Sequence, residues 1–126
     1  MNDKTLRMLE FPAITGKLSE LSHAAGSKAL AEALRPKTDA EEIRTALKET
    51  EAGVSLLLRY GSAPIYELQD IRGSLNRGYA GSILSFKELR LFAELLRTSA
   101  AVKKYVENLP ENEETILAPY AEKLYS

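Results

Sequence analysis

The fold class follows from residues 38–61, TDAEEIRTALKETEAGVSLLLRYG. A stripe of mostly apolar positions recurs there at spacings of four and three residues: Ile43, Leu47, Thr50, Val54 and Leu57. This period is typical of an α-helix with one buried face. Thr38 and Glu41 form a capping box, and Gly61 suits a C-terminal cap, which predicts a long helix over 39–60. Gly53 lies inside it at a cost of about 1 kcal/mol relative to alanine, which close helix packing would explain.

A second long helix is predicted over 86–108. Ser85 and Glu88 form another capping box, and Pro110 ends the segment. Apolar positions again follow at helical spacings: Leu89, Phe92 and Leu96, then Val102, Val106 and Leu109. The two long helices are candidates for an antiparallel pair.

The N-terminal third also favours helices. Ile14, Leu18 and Leu21 form one stripe, and Pro12 precedes it at a position tolerated in the first turn of a helix. We expect the helix to be interrupted at Gly26–Ser27 and a second short helix to follow, which ends at Pro36.

The remaining segments complete an all-helical prediction. Residues 61–67 predict a loop, residues 68–78 a short helix, and residues 113–125 a last helix weakened by Pro119. No convincing strand pattern appears. We therefore expect an all-α helical bundle, with 1–126 as a single helical domain and 110–126 as a C-terminal helix or tail.

Composition narrows the class of protein. The 126 residues carry 17 basic and 18 acidic side chains, for a net charge of −1, and contain no cysteine. Disulfides and cysteine-based metal or nucleophilic sites are thereby excluded. The longest uncharged run, 78–86, is far shorter than the ~20 residues a membrane helix needs. The N-terminus shows no signal peptide, so we expect a cytoplasmic protein with no membrane partner.

A basic stretch from 72 to 104 is the main local charge feature. It holds seven basic residues against Glu88 and Glu94: Arg72, Arg77, Lys87, Arg90, Arg97, Lys103 and Lys104. Such a stretch is a candidate nucleic-acid contact, but a solvated helix face is the more common explanation in a near-neutral chain. Tyr60, Tyr66 and Tyr79 lie among arginines, as in base-stacking surfaces, although half-buried tyrosines are also common at helix ends.

No catalytic, cofactor or metal residue can be assigned. His23 is the single histidine and cannot supply a multi-histidine metal site. The pairs Glu41–Glu42 and Glu113–Glu114 stand at predicted helix starts, where the helix dipole favours them. Gly73–Gly78 has the glycine spacing of a phosphate loop, but Tyr79 and Ala80 replace the required lysine and hydroxyl residue. The sequence thus predicts no enzyme activity and no cofactor in this chain.

An ordered set of short motifs points to a family. It consists of 4–11 (KTLRMLEF), 34–36 (LRP), 58–64 (LRYGSAP), 70–72 (DIR) and 81–85 (GSILS), with Glu88–Leu89 after it. In this order and spacing, over residues 4–109, the chain resembles the start of the second branch of the bacterial MutS family, MutS-II.

The resemblance implies a helical region like part of the MutS core domain, at the head of a longer protein. That parent would be an ATPase and possible endonuclease, with ATP and magnesium, acting in DNA mismatch repair, recombination control or ribosome rescue. It would bind DNA or the ribosome and allow a homodimer. The chain would be an N-terminal piece that links clamp and ATPase parts mechanically. Its important residues would then be core ones: Leu47, Leu57, Ile71, Leu89, Phe92 and Leu96.

Two other functions stay open at this point. The chain could be a free-standing helical interaction protein that binds protein or nucleic acid through the basic 72–104 face. An enzyme built on His23 and nearby carboxylates is the least supported interpretation.

Overall fold

The computed structural model describes residues 2–110 and 115–124, and it is all-helical there. Seven helices follow one another along the described chain: α1 (Asp3–Met8), α2 (Phe11–Leu21), α3 (Ala25–Glu32), α4 (Ala40–Tyr60), α5 (Arg72–Tyr79), α6 (Phe86–Glu107) and α7 (Ala118–Glu122). The all-α prediction is confirmed. No helix in the described residues is both long and apolar enough to cross a membrane.

The two long predicted helices are present almost to the residue as α4 and α6. At the start of α6, the Glu88 carboxylate accepts from the Ser85 amide at 2.8 Å, and the Glu88 amide donates to the Ser85 hydroxyl at 3.3 Å. This is the predicted capping box. Gly61 adopts a positive φ of 79° at the end of α4, as a glycine cap requires.

The predicted cap of α4 is wrong by one residue. Asp39, not Thr38, is the N-cap: its carboxylate accepts from the amides of Glu41 at 3.0 Å and Glu42 at 2.9 Å. A short aspartate side chain at this position reaches amides that have no partner within the helix. Thr38 therefore lies outside the cap.

The predicted interruption at Gly26–Ser27 is also misplaced. Both residues belong to the first turn of α3, where glycine and serine are tolerated because the amides there are not yet bonded within the helix. The break comes earlier, at 22–24. There the backbone pairs with Leu68, whose carbonyl accepts from Ala25 at 3.1 Å.

The chain divides into two compact units. The first comprises Met1–Pro36 and Tyr66–Leu91, and the second comprises Lys37–Ile65 and Phe92–Ser126. In the first, α2 packs against α1 and α3, and the Ser19 hydroxyl donates to Glu32 at 2.9 Å. Leu6 and Ala31 are buried in this unit. The prediction of one domain over 1–126 stays a prediction.

In the second unit, residues of α4, the later part of α6 and the α7 region line one apolar pocket. Leu56, Thr98 and Ala121 are the buried residues of this unit among those described. The Tyr105 hydroxyl donates to the Gly61 carbonyl at 2.8 Å and lies 3.4 Å from that of Leu56. The predicted helix over 113–125 is present only as the short α7. Residues 113, 114 and 125 lie outside the described residues.

The predicted core face is the largest error. Leu47, Leu57, Leu89 and Leu96 are exposed, and Ile71 and Phe92 are only half-buried. An apolar stripe marks a helix face whose burial would stabilise the protein, but the stripe does not show which segment, if any, covers that face. In the described chain these stripes remain largely uncovered.

Candidate functional site

The structure distributes the seven basic candidate residues over both units. Arg72, Arg77, Lys87 and Arg90 belong to the first unit, and Arg97, Lys103 and Lys104 belong to the second. Arg90 and Lys103 each interact with another residue. The proposed nucleic-acid role of these residues stays a prediction.

Arg72 is engaged by an acidic neighbour. Its guanidinium nitrogen Nη2 lies 2.6 Å from Asp70 Oδ2, and its Nε and backbone amide both bond to Asp70 Oδ1. The side-chain hydrogen bond from Arg72 is the main reason why the pKa of Asp70 is lowered to about 2. This pair fixes the start of α5 and partly neutralises the charge of Arg72.

Arg77 is engaged by Glu88. The two side chains form an ion pair, and the same Glu88 oxygen accepts a hydrogen bond from the Ser74 hydroxyl at 2.7 Å. Since Glu88 also caps α6, this carboxylate joins α5 to the start of α6. The arrangement is structural, and it reduces the positive charge that the first unit offers to phosphate.

The other candidate residues show no catalytic geometry. His23 is exposed, and its backbone carbonyl accepts from Leu68 at 3.4 Å. The glycines of the 73–78 segment lie within helix α5, so their backbone does not form a phosphate-binding loop. Tyr66 and Tyr79 are exposed in the first unit. Across 2–110 and 115–124, no group of three or more acidic, histidine or cysteine side chains could hold a metal ion.

The second unit contains an apolar pocket of about 380 Å³. Four segments supply its walls, and they share an apolar lining: Gly53, Leu56 and Leu57 from α4; Ala63 and Ile65; Val102, Tyr105 and Val106 from α6; and Leu117, Tyr120, Ala121 and Leu124 in and around α7. Ligand pockets in proteins range from about 300 to 1,000 Å³ and are mostly apolar. The volume and apolar lining of the pocket therefore make it a candidate binding site.

An acidic groove adjoins this pocket. Tyr120 lines both, and its hydroxyl donates to Glu49 Oε1 at 2.7 Å. This hydrogen bond raises the pKa of Tyr120 above its ordinary value of 10.0. Four carboxylates and one lysine line the groove, with a formal charge of −3: Asp39, Glu41, Glu42, Glu49 and Lys37.

The pocket could not be predicted from the sequence. It forms because Tyr105, Tyr120 and Gly53 come from three helices, and no local pattern places them together. The one available signal was Gly53, a glycine in the middle of a long helix. Close helix packing does not explain this glycine, because a Cβ at Gly53 would meet only the Leu117 Cδ1 atom, at an ordinary 3.9 Å.

Comparison with known proteins gives a consistent result. The chain is 42% identical over 108 residues to an endonuclease MutS2 of Acetivibrio thermocellus, and 38% identical over 118 residues to one of Ruminiclostridium cellulolyticum. A third, from Clostridium novyi, is 37% identical over 108 residues. These matches cover 86%, 93% and 86% of the chain.

The chain is related to the endonuclease MutS2 proteins. The resemblance seen in the sequence motifs is thus confirmed. The matched segment spans only 14–15% of the length of these MutS2 relatives. No family model matches the chain. No solved structure matches it either.

Proposed function

We propose that the chain is a non-catalytic, N-terminal helical core module of a MutS2-type ATPase, in which it links clamp and ATPase parts. The observation that carries this proposal is the MutS2 relationship, which covers 86% of the chain but only 14% of the relative. A segment that is a small part of its relatives is expected to act within the longer protein.

The exposed apolar stripes support the same proposal. Leu47 on α4 is 64% exposed, and Leu89 on α6 is also exposed, although both lie on regular helical stripes. Covering such positions with the remainder of a parent chain would contribute about 25 cal/mol per Å² of apolar surface. These stripes then serve as contact surfaces between the module and the rest of the protein.

Cofactors and partners belong to the parent in this proposal. ATP and magnesium would bind elsewhere in the longer chain. The parent protein would bind DNA or the ribosome. It could form a homodimer, and it would be located in the cytoplasm. The chain's own role is to transmit movement through packed helices.

The alternative, a free-standing protein that binds through the basic 72–104 face, has less support. Arg72 and Arg77 are already paired with Asp70 and Glu88. Their positive charge is partly neutralised, which weakens the attraction for phosphate.

A chimaera tests the proposal. The segment of the Acetivibrio thermocellus MutS2 protein that matches this chain is replaced by the chain, and DNA cleavage and ATP hydrolysis are measured. We expect the chimaera to keep the activities of its parent, and the isolated chain to show neither. Cleavage or hydrolysis by the isolated chain would overturn the non-catalytic assignment.

A point variant sharpens the experiment. Leu47→Asp should leave the isolated chain folded, because Leu47 is already exposed, but should impair the chimaera by placing a charge in a covered contact. Lys48→Asp, on the same helix, also exposed and outside both the apolar pocket and the acidic groove, is the matched control. Equal effects of the two variants in the chimaera would contradict the role of the α4 stripe.

A further inference from the structure

The glycine in the middle of α4 has no explanation within the chain. Gly53 stands in the long helix Ala40–Tyr60, where alanine would form a more stable helix. Its nearest contact for an added Cβ is ordinary, so no neighbouring segment requires a glycine there. Gly53 instead leaves half-buried helix backbone at the wall of the apolar pocket, beside the Leu117 side chain. Bare backbone allows close approach by a molecule from outside.

The dimensions of the pocket suggest what approaches. At about 380 Å³ it lies at the small end of ligand pockets, which suits one or two large apolar side chains. The hydroxyl of Tyr105 is turned to the Gly61 carbonyl and that of Tyr120 to Glu49. Both rings are therefore held in place with their polar atoms already bonded. A leucine or phenylalanine side chain fits such a lining better than a polar ligand.

The surroundings of the pocket favour a basic occupant. The adjoining groove carries a formal charge of −3 and meets the pocket at Tyr120. Glu42 already pairs with Lys37 at 3.8 Å, and Asp39 caps α4. A partner whose apolar anchor is flanked by lysine or arginine would therefore place those cations over Glu41 and Glu49. Complementary charge of this kind accelerates association and selects the partner.

We propose that the pocket of the second unit binds a basic amphipathic helix of a partner protein, which inserts a leucine or phenylalanine against Gly53. A helix is favoured because the walls are helices, which offer no strand edge for an extended peptide to pair with. The inference goes beyond the module function, since it concerns binding by the chain itself.

The experiment uses the complete chain and a synthetic probe. The probe is a fluorescein-labelled helical peptide of about 15 residues, long enough to form a helix, with leucines along one face and lysines elsewhere. Fluorescence anisotropy should show saturable binding to the wild type. Binding should weaken when glutamates replace the lysines, and when alanines replace the leucines.

A matched pair of protein variants distinguishes binding in the pocket from nonspecific attraction of the probe to the protein surface. Gly53→Leu fills the pocket wall and should weaken binding about tenfold or more, as loss of a buried anchor does. Gly16→Leu, in the middle of α2 in the first unit, has nothing within 4 Å of its added Cβ and should leave affinity unchanged. Circular dichroism checks that both variants fold.

A second variant tests the charges without altering the pocket wall. Glu49→Gln keeps an acceptor for the Tyr120 hydroxyl but removes one negative charge, and it should weaken binding of the lysine probe. The proposal is overturned if the wild type does not bind the probe, if Gly53→Leu binds it as tightly as the wild type, or if the glutamate peptide binds equally well. It is likewise overturned if the pocket is occupied by a second copy, seen as self-association that Gly53→Leu abolishes. None of these outcomes depends on the MutS2 chimaera.

Discussion

Three successive leucines on α4 offer a direct test of the structure. Leu56, Leu57 and Leu58 have the same chemistry and the same helix, but their side chains are 6%, 50% and 83% exposed. Replacing each by alanine removes three carbon atoms, which is about 2.4 kcal/mol for complete burial. Scaled by the buried fraction, the expected losses in free energy of unfolding are about 2.3, 1.2 and 0.4 kcal/mol.

The cavity left by Leu56→Ala should add little to this loss. Leu56 already borders the apolar pocket, so its removal enlarges an existing space rather than creating a closed void. The gain in helix propensity from leucine to alanine is small and the same at all three positions. The order 56, 57, 58 therefore reflects burial alone.

Urea unfolding followed by far-ultraviolet circular dichroism measures the series. All three residues lie in the second unit, so they report on the same transition. Leu56→Ala should lower the urea midpoint most, Leu57→Ala less and Leu58→Ala least. The slope of the unfolding free energy against urea concentration should be unchanged. A Leu58→Ala loss equal to that of Leu56→Ala would refute the assignment of the buried face of α4.

Three further predictions follow from the described contacts. Arg72→Ala should return the pKa of Asp70 from about 2 toward 3.8, as measured by NMR titration of the carboxyl group. Because the folded-state pKa is the lower one, the stabilisation from this pair is present above pH 4 and is lost as the pH falls through about 2. Ser85→Ala should cost about 1 kcal/mol through loss of the α6 cap, measured by thermal unfolding; an unchanged melting temperature would show that the cap is not needed. Binding of DNA or RNA at physiological salt should be weak, near 10⁻⁴ M, and an anisotropy titration giving about 10⁻⁷ M or tighter would contradict it.

The helices were predictable because their signals are local. The Ser85–Glu88 box and the glycine after Tyr60 act within one turn of backbone, so the ends of α4 and α6 can be derived from neighbouring residues alone. The error at Thr38 is equally local: threonine and aspartate are both common N-cap residues, and it is the adjacent Asp39 carboxylate that accepts from the first amides of α4.

The buried face and the candidate site were not predictable in this way. The Leu47 and Leu57 stripe has helical periodicity whether or not anything covers it, and here it is exposed. The Arg77–Glu88 pair joins residues eleven apart, and the Tyr120–Glu49 hydrogen bond joins residues 71 apart. Such contacts depend on how helices pack, which no single stripe or capping box encodes.

The central claim is that the chain functions as a module of a longer MutS2-type protein. The most direct measurement is the intact mass of the native protein, isolated from its source cells with an antibody against this chain. The MutS2 relatives are several times longer than the matched segment, so we expect a mass several times the 13.9 kDa of the chain. We also expect the additional sequence to contain a phosphate-binding loop. A native mass of 13.9 kDa would contradict the claim and favour a free-standing helical interaction protein.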